Sequence, residues 1–170
     1  MNSFAKVIDF VLHQEGGYVN DRNDPGGETK YGISKRSYPL EDIAALTRER
    51  AAFLYLRDYW GPIRGDDLPE QLALAVMDFA VNSGVPRASK MLQRLVGAKE
   101  DGEIGPLTLG CVKRTIESRS PQLLAEALIL ERALFLTRLG CTRWGSENFL
   151  PGWMRRIRDN LRFVRRAEGV

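Results

Sequence analysis

Phe4, Val7, Ile8, Val11 and Leu12 recur at helical spacing, and Glu15 is the next position on the same apolar stripe. Gly16 and Gly17 follow and stop a helix in the manner of a C-cap. The pattern predicts a first helix from about Ser3 to Gln14 or Glu15, capped by Asn2 or Ser3. A polar, glycine-rich stretch with a short strand occupies Gly16 to Tyr38. A helical segment is expected from near Glu41 and another from Thr47 to about Tyr59, which Gly61-Pro62 ends. Pro69 is placed as a first-turn proline for a helix over Glu70 to Asn82. That helix is apolar nearly all round, which marks a buried central element.

Gly84 stops the central helix and Pro86 starts the next, which Gly97 ends. Ala98 to Gly105 reads as a turn-rich loop, and Pro106 opens a helix that closes near Ser118. Ser120-Pro121 starts the longest helix, with Gly140 as its terminator. After a loop around Trp144, an amphipathic helix begins near Phe149 and carries Trp153, Ile157, Leu161 and Val164 on one face. The softest boundary is near Gly84-Pro86, which predicts halves over 1–85 and 86–170 packed as one compact unit. No internal repeat or low-complexity tract interrupts the pattern.

Glu15 stands at a place that ordinarily suits a cation. Apolar surroundings and the negative end of the helix dipole both disfavour an anion there. A carboxylic acid that keeps its proton is what a glycosidase uses to protonate a leaving sugar oxygen. The plain alternative is a terminal glutamate that snorkels to water. The loop that follows holds three more acids, Asp21, Asp24 and Glu28, around the turn Asn23-Asp24-Pro25-Gly26-Gly27. Folded back over the helix end, it would carry Asp24 across a cleft from Glu15. Alternatively, Asp24 bonds its own backbone in an Asx-turn. Thr29 has a hydroxyl that can hold a water, or it is an ordinary strand residue; Tyr31-Gly32-Ile33 reads as a short strand leaving the turn.

These residues resemble the N-terminal signature of glycoside hydrolase family 108, muramidases of phages and bacteria with a lysozyme-like fold. The order Glu15, Asp24, Thr29 is also similar to the triad of phage-type lysozymes, in which the threonine lies one residue further from the aspartate. Tyr59-Trp60 before a Gly-Pro turn and the run Asp78-Phe79-Ala80-Val81-Asn82-Ser83-Gly84 look like further family elements. Asp101-Gly102-Glu103-Ile104-Gly105-Pro106-Leu107-Thr108 resembles the motif of peptidoglycan-binding helical modules. The likeness spans nearly the whole chain.

The resemblance implies a mainly α, lysozyme-like, two-lobed helical fold with a small β element after the first helix. It implies an N-acetylmuramidase, of the endolysin type, that hydrolyses the β-1,4 bond between N-acetylmuramic acid and N-acetylglucosamine. Glu15 would be the general acid, and Asp24 with Thr29 would position water or stabilise the oxocarbenium-like charge. No metal or organic cofactor is implied. Tyr18 and Tyr31 are expected against sugar faces, with Tyr59 beside them. Asp78 and Asn82, four apart on the central helix, either line the floor of a sugar cleft or form a structural network. Asp78 is also a reserve candidate for the second carboxylate.

Composition narrows the partners. In 170 residues the net charge is +3 and the pI about 9.0, which suits an anionic polymer. The charge alone does not choose among a cell wall, a nucleic acid and a membrane surface; the resemblance implies bacterial peptidoglycan as the partner, with no nucleic acid, no stable membrane insertion and a monomeric chain. Six arginines crowd the last helix between Arg155 and Arg166 and read first as a solvated face. Cys111 and Cys141 have no metal-type spacing and read as reduced thiols, and His13 as an exposed helix residue. Met1 to Leu12 lacks a basic start, a long apolar run and a cleavage site. The protein is thus expected to be made in the cytoplasm and to reach the wall in the periplasm through a phage-encoded pore. Two other readings stay open. One is a lytic transglycosylase using the same glutamate without a catalytic aspartate; the other is a non-catalytic peptidoglycan-binding or secretion-accessory protein built on the DGEIGP module. A nucleic-acid binder would rest on the basic tail alone.

Overall fold

The computed structural model describes residues 3–20, 27–142 and 146–166. Among them are seven α-helices and one two-stranded antiparallel sheet, so the chain is mainly α with a small β element after the first helix. The chain divides into two compact units, Met1–Trp60 and Gly61–Val170. That division precedes the expected boundary near residue 85.

In the first unit, α1 spans Ser3–Glu15 and buries Val7, Ile8, Val11 and Leu12, the stripe read from the sequence. Gly16 follows at φ 77°, the left-handed conformation that ends the helix. β1 (Thr29–Lys30) and β2 (Ile33–Ser34) pair with Lys30 opposite Ile33. Tyr31 and Gly32 are therefore the connecting turn and not part of a strand, as the sequence suggested. Both have positive φ, 53° and 75°, the conformation whose twist matches a two-residue hairpin.

Residues near Glu41 form turns, and helix resumes only at α2, Arg48–Tyr55. Thr47 caps it by accepting the Arg50 amide at 3.1 Å. A π-helical turn over Leu56–Trp60 continues α2. This widened turn buries Trp60, whose ring meets Phe4 of α1 edge-on at 5.3 Å.

The second unit is built on α3, Glu70–Ser83, buried from Leu72 through Ala80 as its apolar composition predicts. Pro69 stands at its N-cap, one position ahead of the expected first turn. Around it lie α4 (Val85–Leu95), α5 (Pro106–Ser118), α6 (Pro121–Thr142) and α7 (Leu150–Arg166). Contacts join α3 to α4, α6 and α7. Pro86 and Pro106 occupy first-turn positions, where a missing amide costs nothing. Ser120 caps α6 through the Leu123 amide at 3.1 Å.

Gly140 does not end α6, which continues to Thr142. A Cβ at Gly140 would meet the Leu150 side chain at 2.6 to 2.7 Å. The glycine thus permits close packing beside α7 instead of stopping a helix. The arginines of α7 also divide. Arg156 turns inward, while Arg158 and Arg162 face Asp159 and Arg165 pairs with Glu126. Cys111 and Cys141 are unpaired thiols, and His13 is exposed. Among the described residues no helix is long and apolar enough to cross a membrane.

Candidate active site

Glu15 is the last residue of α1 and is half-buried, with Oε1 shielded from solvent. The hairpin turn lies directly against it. A Cβ on Gly32 would stand 2.7 Å from Glu15 Oε2 and 2.5 Å from the Tyr55 hydroxyl. Only a residue without a side chain fits between these two groups, and only glycine adopts its φ of 75° without cost. Helix end, hairpin tip and α2 thus converge on the one carboxylate.

Tyr55 is buried at 1% exposure and donates its hydroxyl to the Tyr31 carbonyl at 2.9 Å. That bond fixes the turn, including the left-handed backbone of Tyr31, which few non-glycine residues adopt. The Tyr55 ring lies 5.4 Å from that of Tyr59, on the π-helical turn. Burial pushes the Tyr59 phenol above its ordinary range, and the negative charges of Asp58 and Glu15 add to this. Tyr59 therefore stays a neutral hydroxyl within the electrostatic reach of Glu15. π-helical turns of this kind occur often at functional sites.

Val19 and Thr29 exchange two backbone hydrogen bonds, at 2.8 and 2.9 Å. Just outside them Tyr18 donates to Glu28 Oε1 at 2.6 Å. This bond raises the Tyr18 phenol above its ordinary range. Thr29 lies in β1 and donates its hydroxyl to the Gly27 carbonyl at 3.3 Å, which leaves its oxygen free to accept from water. Asp24, with Asp21, lies outside the described residues. Asp58 is engaged elsewhere: bonds from Arg57 and then from Tyr38 hold its carboxyl below the usual range.

The sequence placed Glu15, Tyr18, Thr29, Tyr31 and Tyr59 near one another, and all belong to the first unit. Gly32 is a contributor that the sequence pattern does not single out. The signal for Gly32 was present, since an X-Gly pair between short strands is a hairpin turn signature.

Asp78 is not available to a sugar. It is 0% exposed and its oxygens accept from Arg132 at 2.5 Å, Asn160 at 2.9 Å and Arg156 at 2.9 Å. Burial alone would raise its carboxyl. The Arg132 and Arg156 charges outweigh burial and hold it at about 2. Asp78 is thus a permanent anion inside a structural network, which removes it as a reserve catalytic carboxylate. Asn82 does not share that environment. It is exposed at the end of α3, where its Oδ1 accepts from Ser83.

The Glu15 carboxyl thus sits at a helix end against a hairpin turn that the Tyr55 hydroxyl holds. The family described as Glycosyl hydrolase 108 matches residues 8–84, and one described as Predicted Peptidoglycan domain matches residues 87–158. The chain is similar to a solved structure titled "Structure of Brucella abortus SagA". Identity is 33%, the TM-score is 0.80, and the match covers 95% of this chain and 93% of that one. No curated protein matches the chain. The chain belongs to the glycosyl hydrolase 108 family, and it is a peptidoglycan-degrading glycoside hydrolase with a peptidoglycan-binding domain.

Proposed function

We propose that the protein is an N-acetylmuramidase, cleaving the β-1,4 bond between N-acetylmuramic acid and N-acetylglucosamine, with Glu15 as general acid. The observation that carries this reading is the seating of the Glu15 carboxyl between the end of α1 and the Gly32 turn, with one oxygen shielded and the other against the hairpin. A group held in this way is pre-positioned, so little reorganisation is needed when a glycosidic oxygen arrives.

In the proposed reaction Glu15 gives its proton to the O4 of the departing N-acetylglucosamine as the bond to the muramic acid anomeric carbon breaks. Water adds its oxygen to that carbon, and its proton passes to a base. Asp24 is proposed as that base or as the stabiliser of the cationic transition state, with Thr29 accepting a hydrogen bond from the same water. Tyr18, Tyr31 and Tyr59 would offer ring faces to the sugars. The proposed place of action is the cell wall in the periplasm.

The products test the reading. Hydrolysis yields muropeptides with a free reducing N-acetylmuramic acid. A lytic transglycosylase uses the sugar's own hydroxyl and leaves a 1,6-anhydro end, lighter by one water. Mass spectrometry of digested sacculi separates the two. A majority of anhydro ends would replace the hydrolase reading, and a reducing N-acetylglucosamine would replace the bond specificity.

A further inference from the structure

In the second unit a groove of about 400 Å³ runs between α4 and α6. Pro86, Met91 and Phe135 give it an apolar floor, and Arg87, Lys90 and Arg94 edge it with cations. We propose that this groove binds the acidic stem peptide of peptidoglycan, with Arg87 and Lys90 receiving its carboxylates. The proposal rests on the peptidoglycan reading above and adds the site and the part of the polymer that it recognises.

Arg87 is pre-organised. Its guanidinium lies over the Phe135 ring at 5.0 Å, and its Nη1 donates to the Ser83 carbonyl at 3.1 Å. The planar fork retains further donors, which suit a carboxylate. Lys90 is seated by the DGEIGP loop. Gly102 is buried at φ 90°, and a Cβ there would come within 3.4 Å of Lys90 Cε and 3.5 Å of Pro86 Cβ. Gln93 fixes the loop, accepting the Gly102 amide at 2.9 Å and donating to Asp101, the Glu103 carbonyl and Thr108 at 2.7, 3.0 and 3.1 Å. The motif that resembled peptidoglycan-binding modules thus props one edge of this groove. Arg94 is occupied: Glu100 takes it at 3.0 and 2.7 Å, and Glu131 lies within its electrostatic reach. Carboxylate recognition therefore falls to Arg87 and Lys90.

The spacing fits a peptide. At about 1.5 Å of rise per residue, Arg87 and Lys90 stand roughly 4.5 Å apart along α4. An extended peptide advances about 3.3 Å per residue. Carboxylates one or two residues apart can therefore meet both cations. Stem peptides carry such carboxylates on glutamate, on a diamino acid and at the terminal alanine. Their methyls and methylenes match the Pro86–Met91–Phe135 floor. A bare phosphate would gain nothing from that floor. The volume lies within the range of roughly 300 to 1,000 Å³ usual for ligand pockets.

The experiment is calorimetric titration of the full chain at low salt with the synthetic tetrapeptide L-Ala–γ-D-Glu–diaminopimelate–D-Ala, and separately with peptide-free glycan. Saturable tetrapeptide binding that weakens with salt is expected. Arg87→Ala/Lys90→Ala should weaken it about tenfold or more, and Lys90→Glu should do so on its own. Arg114→Ala, on α5 and outside the groove, should leave it unchanged. Both groove side chains are exposed, so melting temperatures near wild type should accompany the loss. Unchanged tetrapeptide affinity in the double variant and in Lys90→Glu overturns the proposal. Binding of peptide-free glycan without the tetrapeptide overturns it too while keeping the peptidoglycan reading. Binding of neither, with sacculi left intact, removes both.

Discussion

Gly32 lies against Glu15: a single methyl group on its Cα would stand 2.7 Å from Oε2 and 3.0 Å from Cγ of the carboxylate side chain. The same methyl would meet the Tyr55 hydroxyl at 2.5 Å. Gly32 therefore sets where the carboxyl can be, and the turn it belongs to acts as a wall of the site.

Gly32→Ala should keep the helices and lose activity. The backbone at φ 75° costs a side chain about 1 kcal/mol, and the Glu15 carboxyl must move to admit it. A displacement near 1 Å can cost about a hundredfold in rate. Gly97→Ala is the control, since its φ of 68° carries the same backbone cost with nothing within 4 Å of the new methyl. Thermal melts followed by circular dichroism should show both variants folded, with Gly32→Ala destabilised at least as much as Gly97→Ala, and wall-clearing rates should show a large loss only in Gly32→Ala. Equal rates in the two variants would detach the turn from catalysis.

Glu15→Gln should fold normally and fail to clear purified walls. Glutamine is nearly isosteric but has no acidic proton, and general acid catalysis is worth roughly a hundredfold to ten-thousandfold. A rate within a few-fold of wild type would require another acid.

The helix that presents Glu15 was legible because one stripe of five apolar residues fixes its face and Gly16 fixes its end. The buried α3 was legible for a similar reason, since between Leu72 and Ala80 nothing except Asp78 resists burial. Other features depend on partners far along the chain. Asp78 meets Arg132 and Arg156, 54 and 78 residues away, and no local pattern distinguishes that ion cluster from a ligand site. Asn82, on the same nominal face, sits where α3 emerges into solvent. Gly140 looked like a stop because glycine commonly ends helices, yet here Leu150 needs the space. The Tyr31-Gly32 turn reads as strand in the sequence because the strands flanking it are only two residues long, too short to show an alternating pattern.

Tyr55→Phe should impair catalysis more than stability. The hydroxyl holds the Tyr31 carbonyl at 2.9 Å, and its loss costs about 1 kcal/mol. The turn it releases is the one that confines Glu15. The expected signature is a several-fold drop in kcat with a melting temperature lowered by only a few degrees. A fall in melting temperature with kcat unchanged would make Tyr55 a packing residue alone.

Asp78→Asn should destabilise the second unit without altering the chemistry. Removing the anion leaves Arg132, 1% exposed, and Arg156 as buried charges, a change that typically costs roughly 3–5 kcal/mol. Asp78 also predicts a pH window. Its folded pKa, about 2, is below the ordinary 3.8. Its stabilisation is therefore complete above about pH 4 and is lost as pH falls through 2. The size is about 2 kcal/mol by linkage. Chemical denaturation of wild type and Asp78→Asn at pH 6, 4 and 2 measures this directly. The gap between the two proteins should hold from pH 6 to 4 and shrink by about that amount at pH 2, with cleavage per folded molecule equal at neutral pH. A gap independent of pH would mean that the Asp78 carboxylate is not the source of the stability, and a specific loss of cleavage would return Asp78 to the substrate.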